Sequence, residues 1–314
     1  VVARFVMWRC ARRLLPGPPP WGRAAAASAG VRAAGDGGWY EGLAGSAPVL
    51  WAEGGLLALH GLTGLPWWAN IVCASAALRT GLTLPLAVHQ AHLFAKLENL
   101  KPEMENLAKV LRYEVSVCGK QMGWSEKAAR LHFKKNMRRI VSELYVRDNC
   151  HPFKATLLMW VQIPVWIFVS VALRNFSVGA TCFPTIQDQL STGGILWFTD
   201  LTMPDTTWIL PISVGLLNLL IVEMFALRKI ELSRFQKYAT YFFRGMAVVM
   251  IPIAATVPSA IALYWLSSSF MGLSHNLLLR SPSFRRLCRI PRTKSDSDTP
   301  YRDLASTFYA KYFL

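Results

Sequence analysis

Hydrophobic positions along this chain gather into long runs, not into the short alternation of strands. Leu65–Leu86 reads LPWWANIVCASAALRTGLTLPL, long enough to cross a bilayer, for which about 20 apolar residues suffice. Further runs cover Phe153–Leu173 and Trp208–Leu227, and the 39 residues from Tyr241 to Leu279 carry one charge, Arg244. One helix of that last length would overshoot the ~30 Å hydrocarbon core, so it divides at Pro258 into spans over 241–257 and 259–279. Pro164 and Pro252 are expected to bend their spans, because proline cannot donate to the carbonyl four residues back. Ser267, Ser268 and Ser269 soften the fifth span. Between the first two spans, over 88–150, the pattern changes. Leu93, Leu97, Leu100, Met104, Leu107 and Leu111 alternate steps of four and three, the narrow seam of paired helices. Gly119 and Gly123 break that seam, Ser125 suits an N-cap, and Phe133, Met137, Ile140 and Leu144 repeat it. The pattern predicts an all-α polytopic membrane protein: a five-helix transmembrane bundle, with a helical hairpin between spans 1 and 2 outside the bilayer.

Composition agrees with this and adds an orientation. Of 314 residues, 53% are hydrophobic and 17% charged, against about 25% charged in soluble domains. The net charge of +16 is uneven. Residues 1–35 hold six arginines and no acid, which reads as an organelle import sequence, a disordered basic tail being the alternative; without them the net charge is +10. Residues 36–64 carry Asp36, Glu41 and Glu53 and no Lys or Arg. The hairpin region through Lys154 has 13 basic and 7 acidic residues, and its cluster Lys134, Lys135, Arg138, Arg139 suits anionic lipid, nucleic acid or plain solvent. The loop Arg174–Thr207 is acidic (Asp188, Asp200, Asp205), the link Arg228–Lys237 basic, and the segment 281–314 basic. Basic loops stay on the inner side, so five spans put the N-terminus outside and the C-terminus inside, the mitochondrial matrix if the import reading holds. The six cysteines show no paired spacing, and Asn175-Phe176-Ser177 is a glycosylation sequon.

The candidate chemistry is electrostatic. Arg79 lies inside the first span, roughly 10 Å from Leu86 at 1.5 Å per residue, where a full charge costs about 2.5–3.5 kcal/mol. Ser75 and Thr83, four residues either side, share its face. Two readings stay open: an arginine that snorkels or pairs silently with a neighbouring helix, or one in a wet, positively charged cavity within the membrane. Gln162 shares a face with Trp166 and Ser170, and an interhelical bond there is worth about 1 kcal/mol or less. Glu223 lies slightly shallower than Arg79, placed either to pair with it or to snorkel. No phosphate-binding loop, HExxH or GxSxG occurs, and His89 with His92 are too few for a metal. The sequence therefore offers no catalytic residue, no metal site and no cofactor; it does not read as an enzyme, and a solute carrier lacks its usual internal repeat.

Several motifs occur in a set order: Arg79 and Pro85 in the first span; His151-Pro152; Gln162 and Pro164; Trp197, Phe198, Asp200 and Leu201; Asp205 with Trp208-Ile209-Leu210-Pro211; then Pro258, Tyr264 and Trp265. Over about residues 39–280 this resembles the YidC/Alb-type membrane insertases, and within them the mitochondrial branch serving cytochrome c oxidase assembly. The resemblance implies a five-helix insertase core over 65–280, with a hydrated groove open to the matrix side and to lipid. It places the groove arginine at Arg79, beside Ser75, Thr83, Gln162, Ser170 and Glu223. It further implies a mitochondrial inner-membrane protein that exports the C-terminal tail of oxidase subunit 2, mainly post-translationally. Its implied partners are that subunit, inner-membrane lipid and other oxidase assembly factors. Nucleic acid is not among them, and with a tail of only 35 residues ribosome binding is expected to be weak or absent. His151 departs from the asparagine common at that turn. A non-translocating assembly scaffold and a small-solute transporter are the alternative functions.

Overall fold

The computed structural model describes residues 38–179, 184–227, 234–293 and 295–312. The import-sequence expectation for 1–35, most of the basic link and two cysteines, Cys10 and Cys182, lie outside them. In order the helices are α1 (Trp39–Ala44), α2 (Ala47–Thr63), α3 (Trp67–Leu78), a π-helical turn (Arg79–Thr83), α4 (Leu84–Gln121), α5 (Glu126–Arg147), a 3-10 turn (Pro152–Thr156), α6 (Leu157–Val178), α7 (Pro184–Ser191), α8 (Ile209–Ala226), α9 (Arg234–Thr256), α10 (Ser259–Leu278), α11 (Pro282–Leu287) and α12 (Pro300–Tyr312). Among the described residues there is no strand, only isolated bridges pairing Ile195 with Phe198 and Pro204 with Pro258. The protein is all-α.

Among the described residues, four helical stretches are long and apolar enough to cross a membrane: Trp67–Gln121, Phe153–Val178, Ile209–Ala226 and Lys237–Thr256. The fifth stretch expected from sequence is a single helix, α10, of 20 residues, but Ser267–Ser269, His275 and Asn276 make it too polar to qualify by composition. Its first half, Ser259 through Trp265, is buried. Two segments between the runs are also structured. Trp39–Ala44 and Ala47–Thr63 are helical, with Val49 and Leu56 of α2 buried in the core. The acidic loop after α6 contains α7 and a tightly bonded turn.

One compact unit comprises residues 38–80 and 163–274. Its core joins Trp67, Ile71, Leu173, Phe176, Leu201, Val214 and Ile261. At the end where α3 begins, Trp67 Nε1 donates to Gln189 Oε1 at 3.1 Å, and the wholly buried Asn70 donates to the Leu56 carbonyl at 3.2 Å. Asn175, 7% exposed, donates to Glu53 at 2.7 Å and to the Ala44 carbonyl, so the sequon asparagine holds α2 to α6. Asp205 caps α8: one carboxylate oxygen accepts from the N–H and hydroxyl of Thr207, the other from Leu210 N–H at 2.9 Å. Burial pushes its carboxyl up, but those donors and the Trp197 side chain outweigh burial and hold it below the ordinary aspartate value. Gly215 lets α8 and α9 close, since a Cβ there would fall 2.2 Å from Ile251 Cγ1, the use small residues find between membrane helices.

The second unit comprises residues 81–162 and 275–312. In it α4 and α5 are joined through a left-handed Gly123, with the Ser125 hydroxyl accepting from Ala128 N–H as the predicted N-cap. Leu93, Leu100 and Leu144 are buried together, with Met104, Leu107 and Ile140 against them. Arg147 forks onto both carboxylate oxygens of Glu103 at 2.8 Å. A separate cluster lays Leu279 and Ile290 against Ala95, fastened by His92 donating to the Cys288 carbonyl and Asn99 to that of Arg292.

Candidate cationic site in the first apolar helix

The site begins with a proline. Pro85 has no N–H for the carbonyl four residues earlier, that of Gly81, and its ring crowds it. The turn just before it, Arg79–Thr83, is π-helical, a local widening that recurs at functional positions. Arg79 opens that turn and is half-buried.

Its guanidinium is received by α10. Nε and Nη2 donate to the Ser268 hydroxyl at 2.9 and 2.7 Å, and a Cβ placed on Gly272, one turn further, would lie 3.6 Å from Nη1. The buried Tyr264 stands one turn earlier on the same helix. The hydroxyl of Ser75, buried on α3, lies 2.9 Å from the Val72 carbonyl and 2.8 Å from Ser267 Oγ, within hydrogen-bond reach of both. Ser269 donates to Asn218 Oδ1 of α8 at 2.9 Å. Three consecutive hydroxyls, splayed over about 200° at roughly 100° per residue, thus tie α10 to α3 on one side and α8 on the other. The sequence marks this serine run as a soft place in the helix; the structure makes it the polar centre of the unit.

The other predicted residues divide. Ser170 is committed to packing: its hydroxyl donates to the Trp166 carbonyl at 2.7 Å and accepts from Trp265 Nε1 at 2.9 Å, while the two indoles stack 5.2 Å apart. Glu223 accepts from Arg244 Nε of α9 at 2.5 Å, so the counter-charge the structure gives it is Arg244. Thr83, buried, and Gln162, half-buried, belong to the second unit. Sequence reasoning missed Ser267, Ser268 and Gly272. Their signal was a small-residue stripe at helical spacing on a span otherwise too polar to cross alone.

A cavity of about 570 Å³ opens between α3, α8 and α10, lined by Val72, Leu217, Leu263, Phe270, Ser213 and Ser267 among others. Its wall is apolar except for the two serines, and Ser267 is the residue that binds Ser75. No group of three or more His, Cys, Asp or Glu suited to a metal occurs among the described residues, and Cys73, Cys118, Cys150 and Cys288 are free thiols.

Comparison with known proteins gives one family model, described as 60Kd inner membrane protein, matching residues 58–285. Cytochrome c oxidase assembly protein COX18, mitochondrial, of Mus musculus is 61% identical over 307 residues, covering 97% of this chain and 91% of that protein. Its Homo sapiens counterpart is 63% identical over 277 residues, covering 88% and 83%. Mitochondrial inner membrane protein OXA1 of Arabidopsis thaliana is 32% identical over 233 residues, covering 74% of this chain and 49% of that protein.

Proposed function

The chain belongs to the 60Kd inner membrane protein family, and from that premise we propose that it is a membrane protein insertase of the mitochondrial inner membrane acting in cytochrome c oxidase assembly. In this reading α3, α6, α8, α9 and α10 are five spans, with the basic α4–α5 region on the matrix side. The distribution of Lys and Arg supports that orientation. The cargo in this reading is the C-terminal tail of oxidase subunit 2 with its preceding helix; the names of the mammalian relatives support a role in oxidase assembly, and the positive charge of Arg79 suits an acidic segment.

The observation that carries the proposal is Arg79, a charge within an apolar helix whose guanidinium donates to a neutral hydroxyl, Ser268. The Ser268 hydroxyl orients the guanidinium through hydrogen bonds and brings no charge of its own to it. A cargo carboxylate about 4 Å away gains roughly 4 kcal/mol at an effective dielectric of 20. That is of the order of what a charge loses on reaching a helix centre, about 2.5–3.5 kcal/mol. The two nearly cancel: the acidic tail is drawn in but not trapped, and its apolar helix leaves sideways into lipid. Such a step is driven by burying the cargo's apolar surface and requires no chemistry from the protein.

Protease access tests this. In mitochondria lacking the protein and re-expressing variants, the subunit 2 tail should stay sheltered on the matrix side with Arg79→Ala and be exported with wild type. Export intact but oxidase assembly lost would mean a scaffold and not an insertase.

A further inference from the structure

We propose that α12 is an interfacial membrane helix, lying in the phospholipid headgroup layer at the Leu278 end of α10; this rests on reading α10 as a span. Of its side chains from Tyr301 to Lys311 only Leu304 is not exposed, and Tyr301, Phe308 and Tyr309 are 48%, 37% and 59% exposed. A helix of 13 residues is near the length, about 12–15 residues, below which isolated helices barely hold in water, and its exposed aromatics present apolar surface. It needs an apolar surface along one side.

The sequence supplies the matching face. At about 100° per residue, Tyr301, Leu304, Ala305 and Phe308 form one stripe with Tyr309 at its edge. Arg302 and Lys311 flank that stripe on opposite sides, where their stems can lie along the acyl boundary and their charges reach phosphate. Asp303, Ser306 and Thr307 lie on the far side. The level is set by a contact: the Tyr301 hydroxyl donates to the Leu277 carbonyl in the last turn of α10 at 3.1 Å. Where a span ends, the headgroups begin, and tyrosine is enriched there. The stripe therefore continues an interface that the span already makes. Net positive flanks with aromatics between them fit an anionic phospholipid surface.

The full chain in nanodiscs of phosphatidylcholine doped with phosphatidylglycerol and a photoreactive phospholipid tests this, with adducts mapped by mass spectrometry. Adducts are expected on 300–309, falling about tenfold in Leu304→Asp and in Phe308→Asp, and by less than about twofold in Ser306→Asp on the polar side. Exposed Phe270 and Leu278 of α10 report the span in the same digest. Adducts on α10 with none on α12 overturn the proposal and would mean the helix serves a protein partner. Labelling of α12 undiminished in both apolar-face variants overturns it as well. Absence of adducts from α10 removes the span reading itself, and the placement of α12 with it.

Discussion

Arg79 and Arg244 both sit within apolar helices of this protein, and they are held in different ways. Arg244 of α9 meets a full counter-charge: Nε binds Glu223 of α8 at 2.5 Å, with side-chain exposures of 30% and 16%, and its guanidinium also lies over the Tyr241 ring. Arg79 donates twice to the hydroxyl of Ser268, from a helix widened into a π-turn to present it. The first arrangement neutralises a charge and joins two helices. The second orients a charge through hydrogen bonds to a hydroxyl. On the proposed function, that difference in what receives each guanidinium is what separates the two.

The comparison is broken most directly at Arg79. Arg79→Ala should cut export of the subunit 2 tail at least about tenfold, with protein abundance unchanged, and Arg79→Lys should restore part of it, because lysine keeps the charge but loses the two-pronged grip. Arg244→Ala should do the reverse, lowering the stability of the detergent-solubilised protein by about 2 kcal/mol. That is less than the 3–5 kcal/mol of a fully buried broken pair, because this pair is partly exposed. Removing Glu223 as well should recover most of that loss, measured as a double-mutant cycle of thermal unfolding. If Glu223→Gln instead blocks export as severely as Arg79→Ala, the division of labour between the two arginines is wrong. Ser268→Ala sharpens the contrast: it removes the receiving hydroxyl, and a hydrogen bond to a charged group is worth about 1.5–3 kcal/mol, so both folding and export should weaken moderately. The smallest effect belongs to Asp205, away from both arginines. Its depressed carboxyl gives stability above the ordinary aspartate value of about 4 that is lost as pH falls through the lower folded value. Asp205→Asn should flatten that acid dependence and cost about 1 kcal/mol, as lost N-caps do.

Much of the architecture was legible because it follows from local pattern. The apolar runs lie in helices, although the first continues without a break past Leu86 to Gln121. The turn at Pro258 fell between Thr256 and Ser259, and Leu93, Leu100, Met104, Leu107, Ile140 and Leu144 of the leucine seam pack together. The helices Trp39–Ala44 and Ala47–Thr63 were not read from the sequence, since weak amphipathicity hides a segment held by tertiary contacts such as that of Asn70 with Leu56. The turn around Asp205 read as a motif, but its role as a cap depends on which backbone N–H groups converge on it.

Sequence by itself determined that charge is carried into an apolar layer, at Arg79, Glu223 and Arg244, because hydropathy and charge are properties of single positions. Which partners these charges meet was decided by the fold. Partners about 20 residues apart, Glu223 and Arg244, and about 190 apart, Arg79 and Ser268, meet only when helices pack, and no periodicity along one helix records what stands opposite it on another.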